Sequence, residues 1–371
     1  METSEPQLPG LSPGIEPLDA GTVLSNRYLV EFVLGRGGMG AVYFARDRDS
    51  GNQPVALKEM RVQVIDPKAQ RQAIEQFRQE ALFLANLDHP NLVKVSDFFV
   101  EDGRYYLVMA YIKGKTLGEM LKAQSEPFPI NHVLEWAVQL VDVLAYLHSQ
   151  KPPILFRDVK PQNVMLDSSG ALHLIDFGIA RNLTPDSVTA TFLQGVGSAD
   201  YCPLEQYQGA GGTDQRSDIY SLGATLFHLL TLQVPPRAAE LVSENKPVPS
   251  PRRWNPNLPP SLEDLIVNMM AVRKDDRYRS MEHVRSALSK VIRIVEQGGG
   301  QRTGPTPNGK PARRRDRPAT SQLPDGMRSP WLAVGTLTLV VLVLLIWLAI
   351  QMTAPPAKPA MTPGAVTVPR H

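Results

Sequence analysis

The chain has 371 residues, 43% of them apolar, a formal charge of +2 and one cysteine, Cys202. A single cysteine excludes an intrachain disulfide and fits a reducing compartment; the seven histidines stand beside no cysteine at metal-ligand spacing, which argues against a zinc site. The near-neutral charge argues neither for nor against nucleic acid; no nucleic-acid partner is expected.

Residues 1–24 are acidic and proline-rich, with no apolar core of a signal peptide, and read as a disordered lead. From Arg27 to Met60 the pattern is strand and turn: "RYLVEFVLGRGGMGAVYFARD" alternates on both sides of a glycine cluster, "RDRDSGNQP" is a turn and "VALKEM" a further strand. Residues 69–88 change to a helical period, with Ala73, Phe77, Ala81, Leu84 and Leu87 on one face. "NLVKVSDFFVEDGRYYLVMAYI" predicts a hairpin turning at Glu101–Gly103. This first part is a sheet carrying one helix.

The rest of the chain is mostly helical. Residues 130–148 carry the apolar stripe Val133, Leu134, Ala137, Leu140, Val141, Leu144 and Leu147. "SDIYSLGATLFHLLTL" (217–232) is apolar nearly all round, as a buried helix is, and Ser217 is its expected N-cap. "SLEDLIVNMMAV" and "SMEHVRSALSKVIRIVEQ" are amphipathic, the second expected to stop at Gly298–Gly300. Residues 298–330, rich in Gly, Pro and Arg, form a basic flexible linker. The segment "WLAVGTLTLVVLVLLIWLAI" (331–350) has no charge. A helix of that length reaches about 30 Å, the thickness of a bilayer core. It is expected to span the cell membrane once. Arginines crowd its N-terminal side, so the positive-inside rule puts residues 1–330 in the cytoplasm and the 351–371 tail outside.

Chemistry enters at the glycines. Gly35, Gly37, Gly38 and Gly40 are spaced so that backbone N–H groups can approach phosphate oxygens. A dinucleotide fingerprint would continue into a helix; here a strand-like "AVYFARD" comes next, which suggests a hairpin lid. Taken alone the cluster is equally a plain turn. Lys58 ends the next strand, Glu80 lies on the following helix, and "ILFRDVKPQNVML" (154–166) sets Arg157, Asp158, Lys160 and Asn163 inside an apolar frame. Asp176, Phe177 and Gly178 come soon after.

These motifs, "GRGGMGAV", "VALK", "FRDVKPQN", "DFG", a degenerate "CPLE" and "SDIYSLG", occur in one order over about residues 27–295, and the sequence resembles the protein kinases. Lys160 in "DVKPQN" is similar to the Ser/Thr class. A single span after the catalytic region looks like the eukaryotic-like Ser/Thr kinases of bacteria. The resemblance implies an α+β, two-lobed kinase fold over residues 25–297: an N-lobe (25–109) with an antiparallel sheet, a hinge (110–113) and a helical C-lobe (114–297).

The resemblance also assigns roles. Lys58 would hold the α- and β-phosphates and Glu80 would orient it. Asp158 would take or orient the substrate hydroxyl proton, and Lys160 would steady the γ-phosphate. Asn163 and Asp176 would bind Mg²⁺ or Mn²⁺. Leu34, Val42 and Ala56 would roof the adenine of ATP and Met165 would floor it, with Met109 as gatekeeper and Ala110 to Ile112 as hinge. Thr189 and Thr191 are expected phosphorylation sites in an activation loop, with Arg157 as the partner of the phosphate. Glu205 should pair with Arg277. Phe156 stands where most of the family has histidine and is expected to stack on Phe177. His148 and His173 are assigned to structure. The implied activity is transfer of the ATP γ-phosphate to Ser or Thr of proteins, the chain itself included, with homodimerisation in the membrane as a route to activation. The rival readings are a pseudokinase that binds ATP and regulates a partner, and a kinase of small molecules or lipids.

Overall fold

The computed structural model describes residues 17–37, 40–60, 67–176, 199–207 and 212–299. Its first lobe is a six-stranded antiparallel sheet in the order β1-β2-β3-β4-β6-β5. The strands are β1 (Val23–Leu24), β2 (Tyr28–Gly37), β3 (Gly40–Asp47), β4 (Gln53–Met60), β5 (Val95–Glu101) and β6 (Arg104–Ala110). A two-residue loop sets the β5–β6 register. Between β5 and β6 stand Asp102 and Gly103 with φ of 49° and 72°, the left-handed pair that an Asp-Gly hairpin turn requires.

The sheet curls until its two ends meet. The Tyr28 hydroxyl donates to Asp97 Oδ2 on β5 at 2.6 Å, and the Ser25 amide donates to Glu101 Oε2 at 2.6 Å. One face of the sheet buries Tyr43, Leu57, Tyr106 and Val108 in a core of its own. Helix α1 (Pro67–Ala85) covers the other face. Its Phe77 is fully buried and stands edge-on to Tyr105 (5.2 Å) and Phe98 (6.1 Å). Burying one such ring contributes roughly 2–3 kcal/mol.

The second lobe begins with a small sheet of β7 (Gly114–Thr116), β8 (Val164–Asp167) and β9 (Leu172–Leu174). Around it lie α2 (Leu117–Ala123), α3 (Ile130–His148), the one-turn α4 (Leu204–Tyr207), α5 (Gln215–Thr231), α6 (Ala238–Ser243), α7 (Pro260–Met269) and α8 (Met281–Gly299). The apolar stripe read for α3 is buried throughout. Helix α5 is buried on nearly every side. Its hydroxyls at Ser221, Thr225 and Thr231 bond back to carbonyls one turn earlier, so they add no unpaired polar groups to the core.

Two boundaries differ from expectation. Residues 17–24, expected to belong to the disordered lead, are ordered: Val23–Leu24 pair with β2 as strand β1, and Leu24 is buried. Asp214, not Ser217, caps α5: its side chain accepts from the Arg216 amide, while Ser217 sits inside the helix and donates to Glu205 Oε1 at 2.8 Å. Helix α8 ends at Gly299, within the expected stop at Gly298–Gly300. Of the remaining expectations, the lead up to residue 16, the linker beyond residue 299 and the 331–350 segment lie outside the described residues. Among the described residues, no helix is long and apolar enough to cross a membrane.

A bidentate ion pair locks the start of the first sheet: Arg27 Nε and one of its terminal nitrogens each lie 2.7 Å from an oxygen of Asp47, a buried carboxylate. The Arg27 guanidinium, against the opposing cost of burial, holds the Asp47 carboxyl at about 2, below its ordinary 3.8. A depressed carboxyl stabilises the fold above the unfolded value near 4 and loses that contribution as pH falls through the folded value near 2. Urea unfolding at pH 5 and at pH 2.5 should therefore show a larger drop in midpoint for the wild type than for Asp47→Asn; equal drops would contradict the assignment.

Candidate active site

The hairpin of β2 and β3 closes on the pair Gly37 and Gly40, with Gly35 opposite Val42. Gly38 lies outside the described residues. Gly40 has φ of 146°, and a Cβ there would run into the Glu59 carbonyl, so this end of the hairpin accepts only glycine. Next to it on the sheet, Val42 pairs with Lys58 and Ala56 pairs with Met109. The predicted roof residues thus fall on adjacent strands leading into Ala110 and Ile112. Leu34 is exposed, and Met165 lies on β8 between Thr116 and His173. An aromatic series that no sequence pattern marked ties hairpin to hinge: Phe32 stacks on Phe44 at 4.8 Å, and Phe44 meets the edge of Tyr111 at 4.8 Å.

Lys58 reaches across from β4 to an ion pair with Asp176 Oδ1, the two residues being 118 positions apart. Glu80 lies on α1, and its side chain is outside the described residues. Phe177, Thr189 and Thr191 are also outside them, and so is the expected stack of Phe156 on Phe177. Phe156 itself is buried in the main core, which also contains Leu84.

The 154–163 loop forms a compact polar knot. Asp158 Oδ2 receives Lys160 Nζ at 2.9 Å and Asn163 Nδ2 at 2.8 Å. Asn163 Nδ2 also donates to the Asp158 carbonyl at 2.9 Å. With its amide nitrogen committed to Asp158, the oxygen of Asn163 is the atom suited to a cation. The Asn163 carbonyl accepts from the Ile175 amide at 3.1 Å, which brings the residue before Asp176 to the same place. Asp176 and Asn163 are hard oxygen donors, fitting a small divalent cation that takes its other ligands from phosphate and water. Among the described residues there is no cluster of three or more His, Cys, Asp or Glu able to hold a metal by itself.

What holds this loop in shape is a residue of the "SDIYSLG" motif to which no role had been assigned. Asp218 on α5 is fully buried. Its Oδ2 accepts the Phe156 amide at 2.9 Å and His148 Nε2–H at 2.8 Å, and its Oδ1 accepts the Arg157 amide at 2.7 Å. Arg157 takes a left-handed φ of 62°, a conformation that costs a non-glycine residue about 1–2 kcal/mol; three charge-assisted hydrogen bonds offset that. The signal was in the sequence: an aspartate inside an otherwise apolar helix must have buried partners.

A second anchor lies behind it. Arg277, whose side chain is fully buried, forms a bidentate pair with Glu205 at 2.7 and 3.1 Å. It also donates to the carbonyls of Ala271, Val272 and Arg216 and sits 4.9 Å over the Tyr220 ring. Burial pushes the Glu205 carboxyl up, but the Arg277 hydrogen bond and charge prevail and hold it below its ordinary value. Cys202 is buried, and its thiol donates to Gln206 Oε1 at 2.9 Å.

A glycine hairpin over a lysine–aspartate pair, beside an Asp-Lys-Asn knot, is a constellation for handling phosphate. The protein kinase domain family matches residues 28–288. The chain belongs to the protein kinase family. Serine/threonine-protein kinase PrkC of Bacillus subtilis is 36% identical over 277 residues, 73% of this chain and 41% of PrkC. Serine/threonine-protein kinase PknB of Mycolicibacterium smegmatis is 34% identical over 282 residues, 72% of this chain and 43% of PknB. The chain thus spans about two-fifths of the length of these curated relatives. Among solved structures, the PknI kinase domain of Mycobacterium tuberculosis is 25% identical with a TM-score of 0.57, over 74% of this chain and all of that domain. The apo form of PpkA-294 is 26% identical with a TM-score of 0.60, over 73% of this chain and 99% of that one. Protein kinases use ATP with a divalent metal, which agrees with the donor set here.

Proposed function

We propose that this protein is a membrane-anchored Ser/Thr protein kinase that transfers the γ-phosphate of ATP to hydroxyls of protein substrates and of its own activation loop. The observation that carries the reading is the Asp158–Lys160–Asn163 knot, closed at 2.8 and 2.9 Å, beside the Lys58–Asp176 pair. The similarity to kinases named as serine/threonine-specific supports the class of acceptor.

In this reading the glycine hairpin of β2 and β3 covers the phosphates, and Lys58 steadies the α- and β-phosphates. Asp158 accepts or orients the proton of the Ser or Thr hydroxyl. The hydroxyl oxygen bonds to the γ-phosphorus as the bond from that phosphorus to the β,γ-bridging oxygen breaks, and ADP leaves. Lys160, fixed against Asp158, lies where negative charge on the transferred group can be met. Asn163 and Asp176 would hold Mg²⁺ or Mn²⁺, which when bound neutralises phosphate charge. Arg157, next to the catalytic aspartate, is the expected partner of a phosphate on Thr189 or Thr191. Phe156 in place of histidine changes packing beneath the site and removes no group that the transfer uses.

Membrane anchorage rests on the charge-free stretch 331–350, long enough at 1.5 Å per residue to cross about 30 Å, and on the arginines before it. It puts the kinase domain in the cytoplasm and the short tail outside the cell membrane. A single span also lets two copies meet in the membrane plane, so that one activation loop is phosphorylated by the other copy.

Incubation with γ-labelled ATP and Mg²⁺ should label the protein and a generic protein substrate on Ser or Thr, and both Lys58→Met and Asp158→Asn should lower the rate by at least about 100-fold. Nucleotide binding without label on either would point to a pseudokinase, and label on a lipid or small molecule alone would assign a different acceptor. For the anchor, the full chain should stay in the membrane pellet through an alkaline carbonate wash, whereas a chain ending at residue 330 should be released; release of both would remove the transmembrane assignment.

A further inference from the structure

We propose that Gln206 is a positioning residue for Asp158, and that the thiol of Cys202 sets the orientation of its carboxamide. The inference rests on the kinase reading and extends it to a residue on α4 that no motif identified.

Asp158 follows the one residue of its loop in a left-handed conformation, Arg157 with φ of 62°. Such a turn must be held from more than one side to keep a single geometry. Asp218 holds the amides of Phe156 and Arg157, at 2.9 and 2.7 Å, and so fixes the two peptide planes that precede Arg157 Cα. The next plane joins the Arg157 carbonyl to the Asp158 nitrogen, and Asp218 does not touch it. Gln206 does: its Nε2 donates to the Arg157 carbonyl oxygen at 3.3 Å. Three consecutive peptide planes leading into Asp158 are thereby pinned, the last of them by Gln206.

The orientation of that amide is fixed by chemistry. The Arg157 carbonyl only accepts, so it requires the NH₂ side of the carboxamide. The Cys202 thiol, 2.9 Å from Oε1 and four residues earlier in the chain, donates and requires the oxygen side. Both neighbours select the same orientation. Gln206 and Cys202 are both buried, which keeps water from competing for these groups. The helix carrying Gln206 is itself anchored, since the preceding residue is Glu205 in its bidentate pair with Arg277. The arrangement is therefore a rigid arm running from a buried ion pair to the peptide plane of the catalytic aspartate.

A misplacement of Asp158 on the scale of 1 Å affects the transfer step far more than nucleotide binding, and can cost about 100-fold in rate. Gln206→Glu keeps the length and removes the donor, and Gln206→Met keeps the shape and removes both polar atoms. In the full chain, each should lower kcat by roughly 10- to 100-fold, with KM for ATP within about twofold of wild type. Cys202→Ala should lower kcat by a smaller factor, and Cys202→Ser, which restores a donor, should recover most of that loss. Fold integrity is read in parallel from the thermal midpoint, because a purely structural role would reduce the folded fraction without splitting kcat from KM. An active wild type with kcat for both folded Gln206 variants within about twofold would overturn this inference alone. An inactive wild type would take the kinase reading down with it. Failure of Cys202→Ser to exceed Cys202→Ala would overturn the role given to the thiol.

Discussion

The Asp218 carboxylate, buried on α5, accepts N–H groups from His148, Phe156 and Arg157, and the geometry of the active site depends on that one junction. It joins α3, the 154–163 loop and α5 at a single pair of oxygens. A carboxylate with no water around it is costly unless its lone pairs are filled. Filling them here forces the backbone of the loop into one shape. That shape includes the left-handed Arg157, which no local preference would select. Once Arg157 is turned, Asp158 projects into the knot with Lys160 and Asn163, and the Ile175 amide on the Asn163 carbonyl draws Asp176 alongside.

The frame around this junction is built from ordinary parts used for rigidity. Arg277 fills its donors with Glu205 and three carbonyls, so α4 is tied to the first turn of α5 and to the segment between α7 and α8. The Thr225 hydroxyl on α5, bonded to the Ser221 carbonyl at 2.9 Å, also lies 3.2 Å from the Val159 carbonyl, which sets the loop beyond Asp158 against α5. Gly223 lets α5 approach α7 closely; a Cβ there would crowd Met269. In the other lobe, Phe77 under the sheet and the Phe32–Phe44–Tyr111 series at its mouth fix where the glycine hairpin stands relative to the hinge.

Much of this was legible in the sequence because it is local. The alternation around Gly35–Gly40 predicts the β2–β3 hairpin, Asp102–Gly103 predicts the β5–β6 turn, and the stripe from Val133 to Leu147 predicts the buried face of α3. The spacing of Asp158, Lys160 and Asn163 could be read for the same reason: the three lie within six residues. What was missed depends on residues that are distant in the chain. Ser217 has the composition of an N-cap, but Asp214 three residues earlier competes for the role and wins. Asp218 meets its loop partners across more than sixty positions, and Gln206 meets Arg157 across 49. Neither pairing has a periodic signature. Only its place in the "SDIYSLG" motif and the oddity of a carboxylate in a largely apolar helix pointed toward the first.

The central claim is that Asp218 holds the loop by its amides, and amide hydrogen exchange reads that directly. In the intact protein, the Phe156 and Arg157 amides should exchange as slowly as the core of α5. In Asp218→Ala, they should lose most of that protection while the α5 core keeps its own. Rapid exchange of these two amides in the wild type, or unchanged protection in the variant, would contradict the account.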